Sequence, residues 1–152
     1  MWVHGDLALR REDGTYFLLG RSDDTIKLAG KRVGPAEIEE VLLELPAIAE
    51  AAAIGVDDPV KGQKLVVFLV PAPGWRGEAD ELQRAVCAHI DVRLGRPFRP
   101  GVVHAVTQLP KTRSSKIMRR VIRSVYSGLP AGDLSALDNP AALDEIRLAA
   151  AR

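Results

Sequence analysis

Leu109-Pro110-Lys111-Thr112-Arg113-Ser114-Ser115-Lys116-Ile117-Met118-Arg119-Arg120 gathers five cations in twelve residues. Ile117, Val121, Ile122 and Val125 follow at helical spacing, so the stretch reads as a basic loop running into an amphipathic helix. Ser114 or Ser115 suits the N-cap, which puts Lys116 in the first helical turn. That end of a helix carries partial positive charge and disfavours a cation. A loop that concentrates positive charge there suits an anion, phosphate first. The same residues also fit a solvated basic face on a surface helix, and spacing alone leaves both readings open.

Few other residues suggest chemistry by type. The single cysteine, Cys87, excludes an internal disulfide and a cysteine metal cluster. It falls on the apolar side of a predicted helix, as a small core residue would. His4, His89 and His104 are far apart and lack ligand spacing, so no metal site is expected. A net charge of +1 argues against nucleic-acid binding through bulk charge. No apolar run is long enough to span a membrane and no secretory core is visible, which points to a cytoplasmic setting.

Regular elements must hold the basic loop. The 152 residues suffice for one domain with a core. Residues 2–9 and 16–19 read as strands joined by the turn signal Glu12-Asp13-Gly14-Thr15, a hairpin. Residues 25–28 and 31–33 form two short strands around Ala29-Gly30. Gly34-Pro35 opens a helix on Ile38, Val41, Leu42 and Leu45, with Glu37, Glu39 and Glu40 near its positive end. Residues 48–56 read as a strand despite their alanines. Residues 64–70 are apolar on both faces and predict a central strand. A helix over 78–94 stops at Gly95, and 101–106 gives another strand before the basic loop. Asp138-Asn139-Pro140 can start one last helix. The fold class is α+β: a small β-hairpin unit followed by a compact mixed sheet flanked by helices.

The basic loop also resembles the C-terminal lysine motif of the adenylate-forming enzymes, which include acyl-CoA synthetases, peptide-synthetase adenylation domains and luciferases. That motif usually reads Pro-Lys-Thr-x-Ser-Gly-Lys; here Ser115 stands where the glycine would be. The resemblance implies that Lys116 is catalytic and reaches the carboxylate and phosphates while ATP and an acid form an acyl-adenylate. His4-Gly5-Asp6-Leu7 is similar to a segment whose aspartate binds the adenylate ribose, so Asp6 takes that part. The run from Gly20 to Glu39 resembles the family's hinge motif in register. By that likeness Arg21 contacts the ribose and Asp23 is the hinge of rotation. Gly30 lines the pantetheine tunnel, and Arg32 lies near the CoA phosphates. Such enzymes often carry an arginine four residues before the glycine matching Gly95; here that position is Asp91, and Arg93 is the nearby substitute.

The likeness covers about residues 3–145 and favours the acetyl-CoA-synthetase-like branch, on Asp23-Asp24 and on the ending Gly132-Asp133-Leu134-Ser135-x-Leu137-x-Asn139-Pro140. It implies three parts: residues 1–22 as the end of the interdomain hinge region, 23–126 as a C-terminal lid domain, and 127–152 as a helical tail. The chain reads as a detached lid whose partner is a missing N-terminal adenylation domain. The implied substrates are a carboxylic acid, ATP with Mg2+, and CoA, with no cofactor held permanently. A lysine acetyltransferase and a deacetylase acting on Lys116 are implied as further partners. Two alternatives stay open: transfer of the acyl group to a carrier-protein thiol, and a non-catalytic regulatory binding module.

Overall fold

The computed structural model describes residues 6–21, 24–60 and 62–151. Two antiparallel hairpins come first. β1 (Asp6–Arg10) pairs with β2 (Tyr16–Arg21), and β3 (Ile26–Leu28) pairs with β4 (Lys31–Val33). The second hairpin turns on two residues, Ala29 at φ 48 and Gly30 at φ 80. Positive φ at both central positions is the twist-matched two-residue turn, and glycine serves the second without strain.

Helix α1 (Pro35–Leu43) then leads into β5 (Ile48–Asp58) and β6 (Gly62–Pro71). Helix α2 (Ala79–Arg93), a short 3-10 turn (Arg96–Phe98) and β7 (Val102–Ala105) follow. Helices α3 (Arg119–Tyr126) and α4 (Ala142–Ala150) complete the chain. The central sheet has the order β5-β6-β7, antiparallel across β5 and β6 and parallel across β6 and β7. The fold is α+β, with the mixed sheet flanked by helices as the sequence predicts.

Side-chain alternation along the strands builds two cores. Ala51, Ala53, Leu65, Val67 and Leu69 face α1, α2 and the β3–β4 hairpin. Ala52, Ile54, Val66 and Phe68 face α3 and α4, meeting Val121, Ile122, Leu143 and Ile146. β6 is thus covered on both sides, which explains its unbroken apolar run. Ala51, Ala52 and Ala53 of β5 are buried, and their small side chains let helices approach both faces of an edge strand. Gly55 serves a close approach of a different kind: a Cβ there would stand 2.9 Å from Ile26 Cγ2, where β3 lies on the sheet. Gln63 Oε1 accepts the Lys27 N–H at 2.9 Å and ties the same strand down.

Helix α4 anchors the chain's end. Leu143, Ile146 and Ala149 enter the second core, while Glu145 accepts the Thr107 N–H at 2.7 Å. Among the described residues no helix is long and apolar enough to cross a membrane.

Candidate functional site: a lysine hairpin on the sheet edge

The basic segment forms a hairpin of its own rather than the opening of a helix. Lys111 and Ile117 form an antiparallel bridge. The Thr112 N–H donates to the Lys116 carbonyl at 2.9 Å, and the Ser115 N–H to the Thr112 carbonyl at 2.8 Å. The Lys116 N–H donates to Thr112 Oγ1 at 3.1 Å, and Met118 N–H to the Pro110 carbonyl at 2.9 Å. These bonds describe a tight turn closed by a left-handed residue, and Ser115 holds that place at φ 62.

Helix α3 begins only at Arg119, after Met118. Lys116 is therefore not in a first helical turn, and neither Ser114 nor Ser115 is the N-cap. The reason is competition for donors. The Ser115 and Lys116 N–H groups are spent within the hairpin, and Ser114 Oγ pairs with Thr112 Oγ1 at 3.0 Å. Val121, Ile122 and Val125 do form the buried stripe of α3, while Ile117 packs half-buried from the hairpin.

Both feet of this hairpin are pinned. Lys111 Nζ donates to Glu50 Oε1 on β5 at 2.6 Å. Asn139 Oδ1 accepts the Lys111 N–H at 2.9 Å, and its amide donates to the Leu109 carbonyl at 2.9 Å and to Gln108 Oε1 at 3.0 Å. The Asp138 N–H reaches the Lys111 carbonyl at 2.9 Å, and Thr112 bridges Leu137 in antiparallel fashion. On the other side Arg119 grips Glu39 with two nitrogens, Nε to Oε1 at 2.6 Å. Glu39, on α1, is only 6% exposed, and its Oε1 also accepts the Ala53 N–H at 2.9 Å. This carboxylate therefore joins the helical layer on one face to the helix on the other, around the edge of β5. Its hydrogen bonds satisfy it, as a buried charge requires. The bond to Glu39 holds the Arg119 guanidinium above its ordinary pKa, with the charges of Glu39 and Asp24 adding to it against burial. Glu39 thus faces the core rather than serving the α1 dipole; Glu37 occupies the first turn.

Lys116 itself stays exposed at the tip. Lys111, Arg119 and Arg123 are engaged by Glu50, Glu39 and Asp57, whereas no carboxylate among the described residues pairs with Lys116. It lines a surface cleft of about 510 Å3 with Asp24, Thr112, Arg119, Arg120 and Asp133. Asp24 comes from the hinge-like segment, so the two ends of the motif set meet in this cleft.

A second group gathers around the Gly30 turn. A Cβ on Gly30 would meet nothing within 4 Å, so within this chain the turn's backbone conformation demands the glycine. Lys31 Nζ lies 5.8 Å from the centre of the Phe98 ring, which places the 3-10 turn beside the hairpin. Arg32 is exposed. Arg93 is committed to Glu44 at 2.6 Å, and His89 shares that carboxylate at 2.8 Å. Asp91 is paired with Arg99, Nε to Oδ1 at 3.0 Å. Arg99, not Arg93, neutralises the carboxylate that stands in the arginine's usual place.

The remaining sequence candidates are placed more sparsely. Asp6 and Arg21 are direct backbone partners across β1 and β2. Asp23 and His4 lie outside the described residues. Cys87 is partly buried beside the α2 stripe, and burial pushes its thiol pKa up. His104 Nε2 lies 3.1 Å from the Tyr126 hydroxyl within an aromatic cluster with Phe68. Sequence reasoning missed Glu39, Glu50 and Asn139 as supports of the lysine loop. Glu39 and Asn139 sat inside motif matches already noted, but local spacing cannot show an ion pair between residues 39 and 119.

Residues 37–116 match the family described as AMP-binding enzyme C-terminal domain. The match ends on Lys116. The chain is 45% identical to a 3-hydroxypropionyl-coenzyme A synthetase of Sulfurisphaera tokodaii, over 98% of this chain and 22% of that protein. It is 44% identical to a propionate–CoA ligase of Escherichia coli, over 95% of this chain and 24% of that protein. The structure of acetoacetyl-CoA synthetase from Streptomyces lividans superposes with a TM-score of 0.84 at 28% identity, over 99% of this chain and 22% of that one. The two-faced mixed sheet flanked by helices is thus a fold this chain shares with a solved acyl-CoA synthetase. The chain belongs to the AMP-binding enzyme C-terminal domain family. It spans under a quarter of the length of these curated relatives.

Proposed function

We propose that the chain is the lid domain of an acyl-CoA synthetase and acts against an N-terminal adenylation domain. The observation that carries this reading is Lys116: exposed, free of a carboxylate partner among the described residues, and held at the tip of a braced hairpin. In the first step a carboxylate oxygen attacks the α-phosphorus of ATP, held with Mg2+, and pyrophosphate leaves with its bonding electrons. Negative charge builds on the reacting oxygens, and the Lys116 ammonium offsets it without needing to reorganise. In the second step the CoA thiolate attacks the acyl carbon and AMP leaves.

Between the steps the domain turns about Asp23, taking Lys116 away and bringing up the Gly30 turn. Arg32 and Arg93 then serve the CoA phosphates, while Asp6 and Arg21 hold the ribose. Arg93 must release Glu44 to do so. The relatives named for acetate, propionate and 3-hydroxypropionate support a short carboxylic acid and CoA as acceptor. Acetylation of Lys116 by an acetyltransferase, reversed by a deacetylase, would remove its charge and switch off the first step. The setting is cytoplasmic.

Lys116→Ala in the enzyme that carries the chain tests the reading. Acid-dependent ATP–pyrophosphate exchange should fall about 10²–10³-fold, the usual effect of losing one preorganised donor. Thioester formation from pre-made acyl-AMP should be unaffected. An equal loss in both half-reactions would assign Lys116 a structural role instead.

A further inference from the structure

The segment that follows α3 runs back along the lysine hairpin and supplies its outer support. Leu137 bridges Thr112, and the Asp138 N–H takes the Lys111 carbonyl. Asn139 then closes the arrangement with three hydrogen bonds to residues 108, 109 and 111. Its amide uses both ends: the carbonyl oxygen accepts from backbone, and the nitrogen donates to one backbone and one side-chain oxygen. An amide can do both jobs at once because it carries two donors and an acceptor.

These bonds meet the strand that enters the hairpin, five residues before Lys116. The strand that leaves it is fixed separately, by Arg119 on Glu39. The hairpin tip carries Ser115 in the left-handed region, where a non-glycine residue persists only when its surroundings hold it. Without Asn139 the entering strand loses three of its outer bonds and keeps the Lys111–Glu50 pair, the bonds from residues 137 and 138 and the hairpin's own cross-strand bonds.

We infer that Asn139 is a positioning residue for Lys116: it fixes the register of the entering strand and so sets where the ammonium stands. The inference rests on the adenylation role given above to Lys116. Asn139 touches no reacting atom. Its effect passes through the backbone at residues 109–112.

Four forms of the enzyme carrying the chain decide the matter: Asn139→Ala, Asn139→Asp, Lys116→Ala and the double variant, with the exposed Leu148→Ala as a control. Amide exchange should quicken at residues 111–118 in Asn139→Ala and stay unchanged at residues 65–69 of β6. Its kcat for pyrophosphate exchange should fall about 10–100-fold, as a small misplacement costs, with little change in KM for ATP and none in thioester formation. Asn139→Asp keeps the acceptor for the Lys111 N–H and should recover part of the loss. In the double variant the loss should equal that of Lys116→Ala, since one residue acts through the other. Additive losses, or unaltered exchange at residues 111–118, would overturn the inference. If Lys116→Ala itself leaves adenylation intact, the role of the lysine fails first, whatever Asn139 does.

Discussion

At the scale of single residues, Ser115 shows how a departure from a motif is accommodated. The glycine of the usual pattern is explained by φ 62 at this position, a region that costs a side-chain-bearing residue about 1–2 kcal/mol. Ser115→Gly should therefore stabilise the fold by roughly 0.5–1 kcal/mol after the added freedom of the unfolded chain is subtracted. For a domain this size that raises Tm by about 1–4 °C, readable by calorimetry. An unchanged or lower Tm would mean that the Thr112 bonds already remove the strain. The need for glycine at position 30 was legible because motif and backbone demand coincide there. The sequence did not make the surroundings of Lys116 legible. Ser114 and Ser115 look like N-caps locally, but Thr112 takes their bonding capacity into a hairpin.

At the scale of elements, the ion pair between α1 and the start of α3 carries the connection between layers. Glu39→Ala leaves the Arg119 guanidinium half-buried without its partner and exposes the Ala53 N–H. The loss should be about 3 kcal/mol, the low end for breaking a buried pair because Arg119 keeps some solvent. Glu39→Gln keeps an acceptor for the Ala53 N–H and should cost less; urea unfolding of both variants gives the comparison. A different pair governs the 3-10 turn. The hydrogen bond from Arg99 holds the Asp91 carboxyl below its ordinary pKa. The folded pKa thus lies below the unfolded one, so the pair's contribution is present above about pH 4 and is lost as pH falls through the folded value. Backbone shifts at Arg96 and Phe98 should therefore move below about pH 4, while those of β6 stay put; unmoved shifts at the turn would show that the pair does not hold it. Element types and order were readable from periodicity. The two-faced covering of β6 followed from its unbroken apolar run, whereas the edge placement of β5 did not, because alanine-rich segments carry no signature of their neighbours.

At the scale of the whole molecule, the chain contains two cores, one on each sheet face, and both are closed by elements of the chain itself. That supports independent folding. Under the function proposed above, the adenine and acyl pockets would belong to the N-terminal adenylation domain. The isolated chain, mixed with a short carboxylic acid, ATP, Mg2+ and CoA, should give a cooperative melting curve and no pyrophosphate release. Robust turnover by the chain alone would refute the lid assignment. The long run from Gly20 to Glu39 carried the family resemblance at this level, since its residues fall in register with the family's hinge motif. Asp23, the proposed hinge, lies outside the described residues.

The carboxylate of Glu39 has a consequence for how the domain behaves in a crowded solution. β5 is a long rim strand, eleven residues, and a rim of unused amides is a template on which a second chain can add a strand. Glu39 occupies the Ala53 amide, and Arg119 locks the carboxylate there. The opposite rim is β7, only four residues long. Under the rotation proposed above, the domain swung away from its partner would meet other proteins with one rim plugged and the other too short to recruit. Glu39→Ala removes the plug. At high concentration that variant should scatter light progressively while the parent chain stays monomeric, and equal scattering from both would show that the rim was never at risk.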